Sequence, residues 1–167
     1  MNVIIRGGVL LGVLVTIFSW GFAFSGMHKN ASAESTFALV ATLIEVGVLI
    51  WALKKTAAQG RTWFGQVSAG TMLAFVGGCL IFATSYMLVT QLYPSYFAEF
   101  NAASVERSRA LGMDDAAIQA ALAKAAPNQT PLVSSVTGFV MTVLTGLIVS
   151  AVAAIWIRHK GPQPAAA

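Results

Sequence analysis

The chain has 167 residues, 57% of them hydrophobic and 10% charged, and its mean hydropathy is +0.75. Soluble domains carry about 25% charged residues, so this composition argues against a water-soluble globule and for an all-α membrane protein. The net charge of +4 would suit nucleic acid, but the positions of the charges explain it better, and no nucleic-acid partner is expected.

Four stretches are long and apolar enough to cross a bilayer, which takes about 20 residues as a helix. They run over about 3–24, 37–53, 67–93 and 132–157. None alternates with period two, so barrel strands are a poor reading. In lipid every backbone donor and acceptor needs an internal partner, and uninterrupted apolar runs become helices. The expected fold is a four-transmembrane-helix bundle, one membrane domain over residues 1–160 with a flexible tail at 161–167.

The first stretch has features of a secretion signal: a basic start at Arg6, an apolar run, and Ala31-Ser32-Ala33 as a small-residue cleavage site. Its apolar run, Gly7 to Phe24, exceeds the usual 7–15 residues. It is therefore read as a retained span. The lone cysteine, Cys79, lies inside the third span, allows no intrachain disulfide, and reads as a small packing residue.

Basic residues set the orientation. With both termini cytoplasmic, the inside holds Arg6, Lys54, Lys55, Arg61, Arg158 and Lys160 and no acid. The outside holds Lys29, Arg107, Arg109 and Lys124 against Glu34, Glu99, Glu106, Asp114 and Asp115. Lys and Arg concentrate in cytoplasmic loops, so the charge is chiefly a topology signal. Trp51, Trp63 and Trp156 fall at the inner boundary and Tyr93 and Tyr96 at the outer one, as an aromatic belt would. The expected location is the bacterial inner membrane, multi-pass, with the lipid bilayer as first partner.

Between the third and fourth spans, Pro94 to Pro131 is too polar to cross. Asp114 is a credible N-cap, Asp115 suits the first turn, and Met113 and Ile118 stand at the staple positions. Ile118, Leu122 and Ala125 form a narrow apolar stripe, and Pro127 ends the helix. A short extracytoplasmic helix resting on the rim or the membrane interface follows.

The order of short motifs resembles a known family. "GRTWFGQVSAG" leads into the third span, which continues to "QLYPSYFAEF"; then come "GMDDAAIQAAL", Thr130-Pro131, and a last span ending "IWIRHK". This resembles the bacterial domain of unknown function 4199, a group of small four-span membrane proteins. The likeness is best over Gly60 to Lys160 and general over the first two spans. It implies topology and membership. The family has no assigned activity, so no catalytic residue carries over.

Chemistry-bearing constellations are sparse. His28 and His159 fall on opposite sides of the membrane and cannot share an ion, and Asp114-Asp115 is explained by the helix start. Gly7-Gly8 and Gly77-Gly78 lie inside spans and lack a phosphate-binding Lys-Ser/Thr. No histidine stands at the depth of the Ser and Thr residues, so no nucleophile–base pair is in view. No metal, no cofactor and no enzymatic activity are expected.

Glycines read as packing. Ser134, Gly138, Thr142, Gly146, Ser150 and Ala154 recur every four residues along the fourth span. Gly8 and Gly12 in the first span, and Gly70, Ala74 and Gly78 in the third, repeat the pattern. Small residues at this spacing let helices approach closely. These contacts are expected within the chain, although a homo-oligomer or a larger membrane complex would use the same faces.

Glu45 breaks the second span. Eight uncharged residues precede it from Phe37 and eight follow to Leu53, which places it about 12 Å from either end at 1.5 Å rise per residue. An acid at a helix centre costs about 2.5–3.5 kcal/mol on insertion scales, and less if it keeps its proton. Thr16 and Thr145 fall at matching depth, and each could hydrogen-bond it.

Two roles compete for this acid. As buried glue it belongs to a structural, accessory or assembly component, which is the favoured reading. As a proton-exchanging carboxyl it belongs to a small carrier or exporter of a cation or amphiphile. Small multidrug exporters are four-span proteins with one membrane-embedded glutamate. Here, however, the acid lies in the second span and a long outer segment is added.

Overall fold

A computed structural model of the protein describes residues 2–157. The described residues form six α-helices and no strand: α1 Val3–Phe24, α2 Ala31–Ala57, α3 Trp63–Met87, α4 Tyr96–Ala110, α5 Asp115–Ala125 and α6 Pro131–Ile157. A π-helical turn, Leu88–Leu92, extends α3. Four helices, α1, α2, α3 with its π turn, and α6, are long and apolar enough to cross a membrane. Four crossings put residues 2 and 157 at one end, here called the terminal end, and α4 and α5 at the other, the cap end. Arg158, His159, Lys160 and the tail at 161–167 lie outside the described residues.

The expected all-α architecture with four crossing-length helices is present among the described residues, and only the outer segment differs from the expectation of one short helix. Residues 94–131 hold two helices, and α4 had no sequence signal. None of its residues is buried. The α5 helix follows the expected local chemistry. Asp114 Oδ1 accepts from the Ala117 backbone N–H at 2.6 Å, and Ile118 is buried at 3% exposure.

Helix ends have local causes. The Asn2 side chain accepts from Ile4 N–H at 3.3 Å and starts α1, while Thr62 Oγ1 accepts from Gly65 N–H at 3.4 Å and starts α3. Two reversals need a left-handed residue, supplied by Gly26 (φ 74°) after α1 and Gly60 (φ 79°) after α2. Without a Cβ, glycine adopts this conformation at no steric cost.

The long helices are arranged round α3. Its contact with α1 runs parallel in steps of four: a Cβ at Gly8 would meet Val76, one at Gly12 would meet Leu80, and Thr16 Oγ1 lies 2.8 Å from Thr84 Oγ1. Its contact with α6 runs antiparallel. Positions 70 and 74 face 150 and 146, so close that a Cβ on Gly70 would overlap Ser150 and one on Gly146 would overlap Ala74. Small residues are therefore structurally required on both sides of α3.

Burial is uneven along the helices. The core of Leu11, Leu49, Leu53, Ala69, Leu73 and Ala153 fills the terminal-end half, where Leu11, Leu49, Leu53 and Leu73 are 0–1% exposed. Outward faces are also apolar: Ile17, Leu39, Leu43, Ile148 and Trp156 are 60–71% exposed. A surface of that kind belongs against lipid tails. In the cap-end half the helices diverge, and there a cavity opens.

Candidate functional site

The cavity holds about 410 Å³ and is lined by residues of α1, α2, α3 with its π turn, α4 and α6. Its apolar wall comes from Val15, Phe22, Phe37, Ile81, Leu88 and Val89. Hydroxyls line it at several depths, from Ser19, Thr42, Ser85, Ser134, Thr142 and Thr145, with Tyr96 of α4 at the cap end. Glu45 is the sole Asp, Glu, Lys, Arg or His among the lining residues. Below it the α3–α6 glycine contacts and Leu49 close the passage, so the cavity is a blind pocket with a carboxyl at its floor.

Glu45 is 6% exposed, and its Oε1 is buried with no hydrogen-bond partner among the described residues. The pairing with Thr16 that depth allowed is not made. Thr16 turns to α3 and pairs with Thr84, whose own Oγ1 lies 2.9 Å from the Leu80 carbonyl. Depth alone could not settle this, because depth does not say which face of a helix a residue occupies. Thr145 does share the cavity with Glu45, but makes no bond to Oε1. A buried polar group without a partner costs about 1–3 kcal/mol.

The small residues divide by role. Gly8, Gly12, Gly146 and Ser150 lie in the close helix contacts described above. Gly138 and Thr142 do not: a Cβ at Gly138 would meet nothing within 4 Å, and both residues line the cavity. Hence the four-residue stripe on α6 changes neighbours along its length, packing on α3 at one end and bounding the cavity at the other. An α-helical step of four drifts by about 40°, which accounts for the change.

Over the cap end sits a polar cluster that pattern reading missed. His28, in the 3₁₀ turn Met27–Lys29, is buried at 3% exposure and stacks on Tyr96, with ring centroids 4.6 Å apart and planes 22° apart. Tyr93 meets the same imidazole edge-on at 5.4 Å. Glu99 gathers the cluster: Lys29 Nζ lies 2.6 Å from Oε2, the Tyr93 hydroxyl donates to Oε2 at 2.6 Å, and Ser95 donates to Oε1 at 2.6 Å. His28 Nε2 stands 3.8 Å from Oε2.

These contacts set the protonation states outside the membrane. Donation from Lys29, then from Ser95 and Tyr93, holds Glu99 down to about 2. The same carboxylate raises Lys29 and Tyr93, in each case chiefly through the hydrogen bond. For His28 the loss of solvation prevails over the attraction of Glu99, Lys29 adds to it, and its pKa lies below the ordinary 6.5. Tyr93 and Tyr96 thus lie in this cluster. Their placement at a span end was legible; their partners, 65 or more residues away in the case of His28, were not.

Four apolar crossing helices enclosing a blind, hydroxyl-dotted pocket define a multi-pass membrane protein with a candidate binding site inside the membrane layer. The family model described as "Protein of unknown function (DUF4199)" matches residues 6–159, and the chain belongs to that family. No curated protein and no solved structure matches it.

Proposed function

We propose that this protein binds a small ligand bearing a cation or a strong hydrogen-bond donor at Glu45, and exchanges it for the carboxyl proton as a small carrier or exporter. One observation carries the reading: a buried carboxyl oxygen without a protein partner, at the floor of a cavity of about 410 Å³. Acids inside membranes are costly and are retained where a pathway or binding step uses them. Pockets of 300–1,000 Å³ with few convergent polar groups suit small-molecule ligands.

The sequence favoured a structural, accessory or assembly component, with Glu45 as glue between helices. Glue within the chain requires a hydrogen-bond partner, and Oε1 has none among the described residues. Binding without covalent chemistry also fits the lining, which brings no histidine, lysine or cysteine near the acid. We place the protein in a bacterial inner membrane with both termini cytoplasmic. The cap end then faces outward.

Vesicles with an imposed pH gradient test the reading. Methylammonium, tetramethylammonium, tetraphenylphosphonium and dodecylamine serve as probes in reconstituted wild type and Glu45→Gln. Movement of at least one probe, coupled to proton release and lost in Glu45→Gln with assembly intact, is expected. No movement of any probe, together with no proton release on binding, returns the structural reading.

A further inference from the structure

The geometry points to a membrane-partitioned amphiphile, an apolar body carrying one amine, that reaches Glu45 sideways from the bilayer between α2 and α6. The inference rests on the binding role proposed above for Glu45 and adds the ligand's class and its route.

The cavity lacks a wall at one seam. Ala38 and Thr42 of α2 and Met141 of α6 all line it, and all three are exposed, Met141 by 57%. Their neighbours on the same helices face outward: Leu39 and Leu43 at 60%, Leu144 at 46% and Ile148 at 62%. On that seam a Cβ at Gly138 would meet nothing within 4 Å. At the other seams α3 is locked to α1 and α6 by the glycine contacts, and Phe37 of α2 packs on Phe18 and Phe22 of α1 with ring centroids 5.3 and 4.9 Å apart.

The cap end, in contrast, is covered. Tyr96 stands over the cavity with its ring stacked on buried His28, and Glu99 ties Tyr93, Ser95 and Lys29 together beside it. A hydrophilic ion arriving from water would have to part this cluster and shed its hydration in an apolar chamber. An amphiphile already in the bilayer does neither. Its apolar body suits Phe22, Phe37 and Ile81, while its amine suits the one ionisable side chain at the floor. Dispersion and charge complementarity then act on opposite ends of one molecule, which fixes its orientation.

Protein in phosphatidylcholine nanodiscs, with empty nanodiscs as background, provides the test. Dodecylamine should bind saturably at one site, at least tenfold more weakly in Glu45→Gln, and tetramethylammonium at least a hundredfold more weakly than dodecylamine. Ala38→Leu and Gly138→Leu narrow the seam from opposite helices at sites with free space, and each should slow dodecylamine association at least tenfold. Circular dichroism and the thermal midpoint identify a variant that has misfolded, and the other then carries the test. Unchanged association in both folded variants overturns the route. Dodecanol competing as well as dodecylamine, or tetramethylammonium binding as tightly, overturns the ligand class while leaving a carrier at Glu45 standing. Absence of saturable dodecylamine binding to wild type overturns the whole inference.

Discussion

Gly70 and Ser150 touch across the α3–α6 contact with no room for a single methyl between them. One helical turn further on, Gly146 meets Ala74 in the same way. Replacing Gly146 by valine should therefore destabilise the fold by about 1–3 kcal/mol, the usual cost of overpacking. Gly47 of α2 is also helical, but a Cβ there meets nothing within 4 Å. Gly47→Ala should be neutral or stabilise by up to about 1 kcal/mol through reduced backbone freedom. Thermal unfolding in mild detergent checks both, and equal effects would mean that the α3–α6 contact is looser than described.

A second buried pair secures the terminal end. Thr56 and Gln66 are 1% and 0% exposed; Thr56 Oγ1 donates to Gln66 Oε1 at 2.5 Å, and Gln66 Nε2 donates to the Leu53 carbonyl at 3.2 Å. Thr56→Val keeps the shape but strands the Gln66 oxygen, at a cost of about 1–3 kcal/mol. Thr56→Ser keeps the donor and should lose less. If valine and serine behave alike, the bond carries no stability.

The cap cluster should make stability fall on acidification in two steps. His28 has a folded-state pKa below its ordinary 6.5, so the unfolded chain takes up the proton first and stability declines as pH falls below that value. Glu99 has its pKa depressed from 4.5 to about 2. Its contribution is complete above 4.5 and is lost as pH falls towards 2. Thermal midpoints across this range should lose the upper step in His28→Phe, which retains the ring stack, and the lower step in Glu99→Gln. A wild-type profile flat from pH 7 to pH 3 would contradict the cluster.

Much of the fold was legible because apolar run length is a one-dimensional property. The runs around Leu11, Leu49, Leu73 and Gly146 became the four crossing helices, and Asp114 marked the start of α5. The cavity was not legible, since it depends on where helices diverge, and Thr16 illustrates the point. It has the right depth for Glu45 and the wrong face. The cap cluster was hidden for a related reason: it joins a turn at His28 to a helix at Glu99, and no periodicity links the two.

Orientation can be checked directly. In a Cys79→Ser background, single cysteines at the exposed positions Gln59 and Gln119 should label from opposite faces of intact vesicles, with Gln59→Cys reached from the cytoplasm. Labelling of both from one face would reject four crossings. Labelling of each from both faces would indicate that the chain inserts in two orientations, for which the excess of basic residues at the terminal end leaves little room.

Glu45 gives the sharpest contrast between binding and glue. If the acid were glue, Glu45→Leu would remove a hydrogen bond and lower stability, by an amount near the 0.6 kcal/mol average of membrane bonds. The geometry requires the opposite sign. Oε1 has no partner to lose, and leucine replaces an unsatisfied polar group with an apolar one facing Val15 and Ile81 across the cavity. Relief of an unpaired buried group is worth about 1–3 kcal/mol, so Glu45→Leu should raise the unfolding midpoint in detergent while abolishing probe binding. Glu45→Gln keeps a polar group in the same place and should change stability less. A gain in stability with a loss of binding is the pattern of a residue kept for use at the expense of the fold. A leucine variant less stable than wild type would mean that Glu45 has partners in the membrane, and the binding role would lose its principal support.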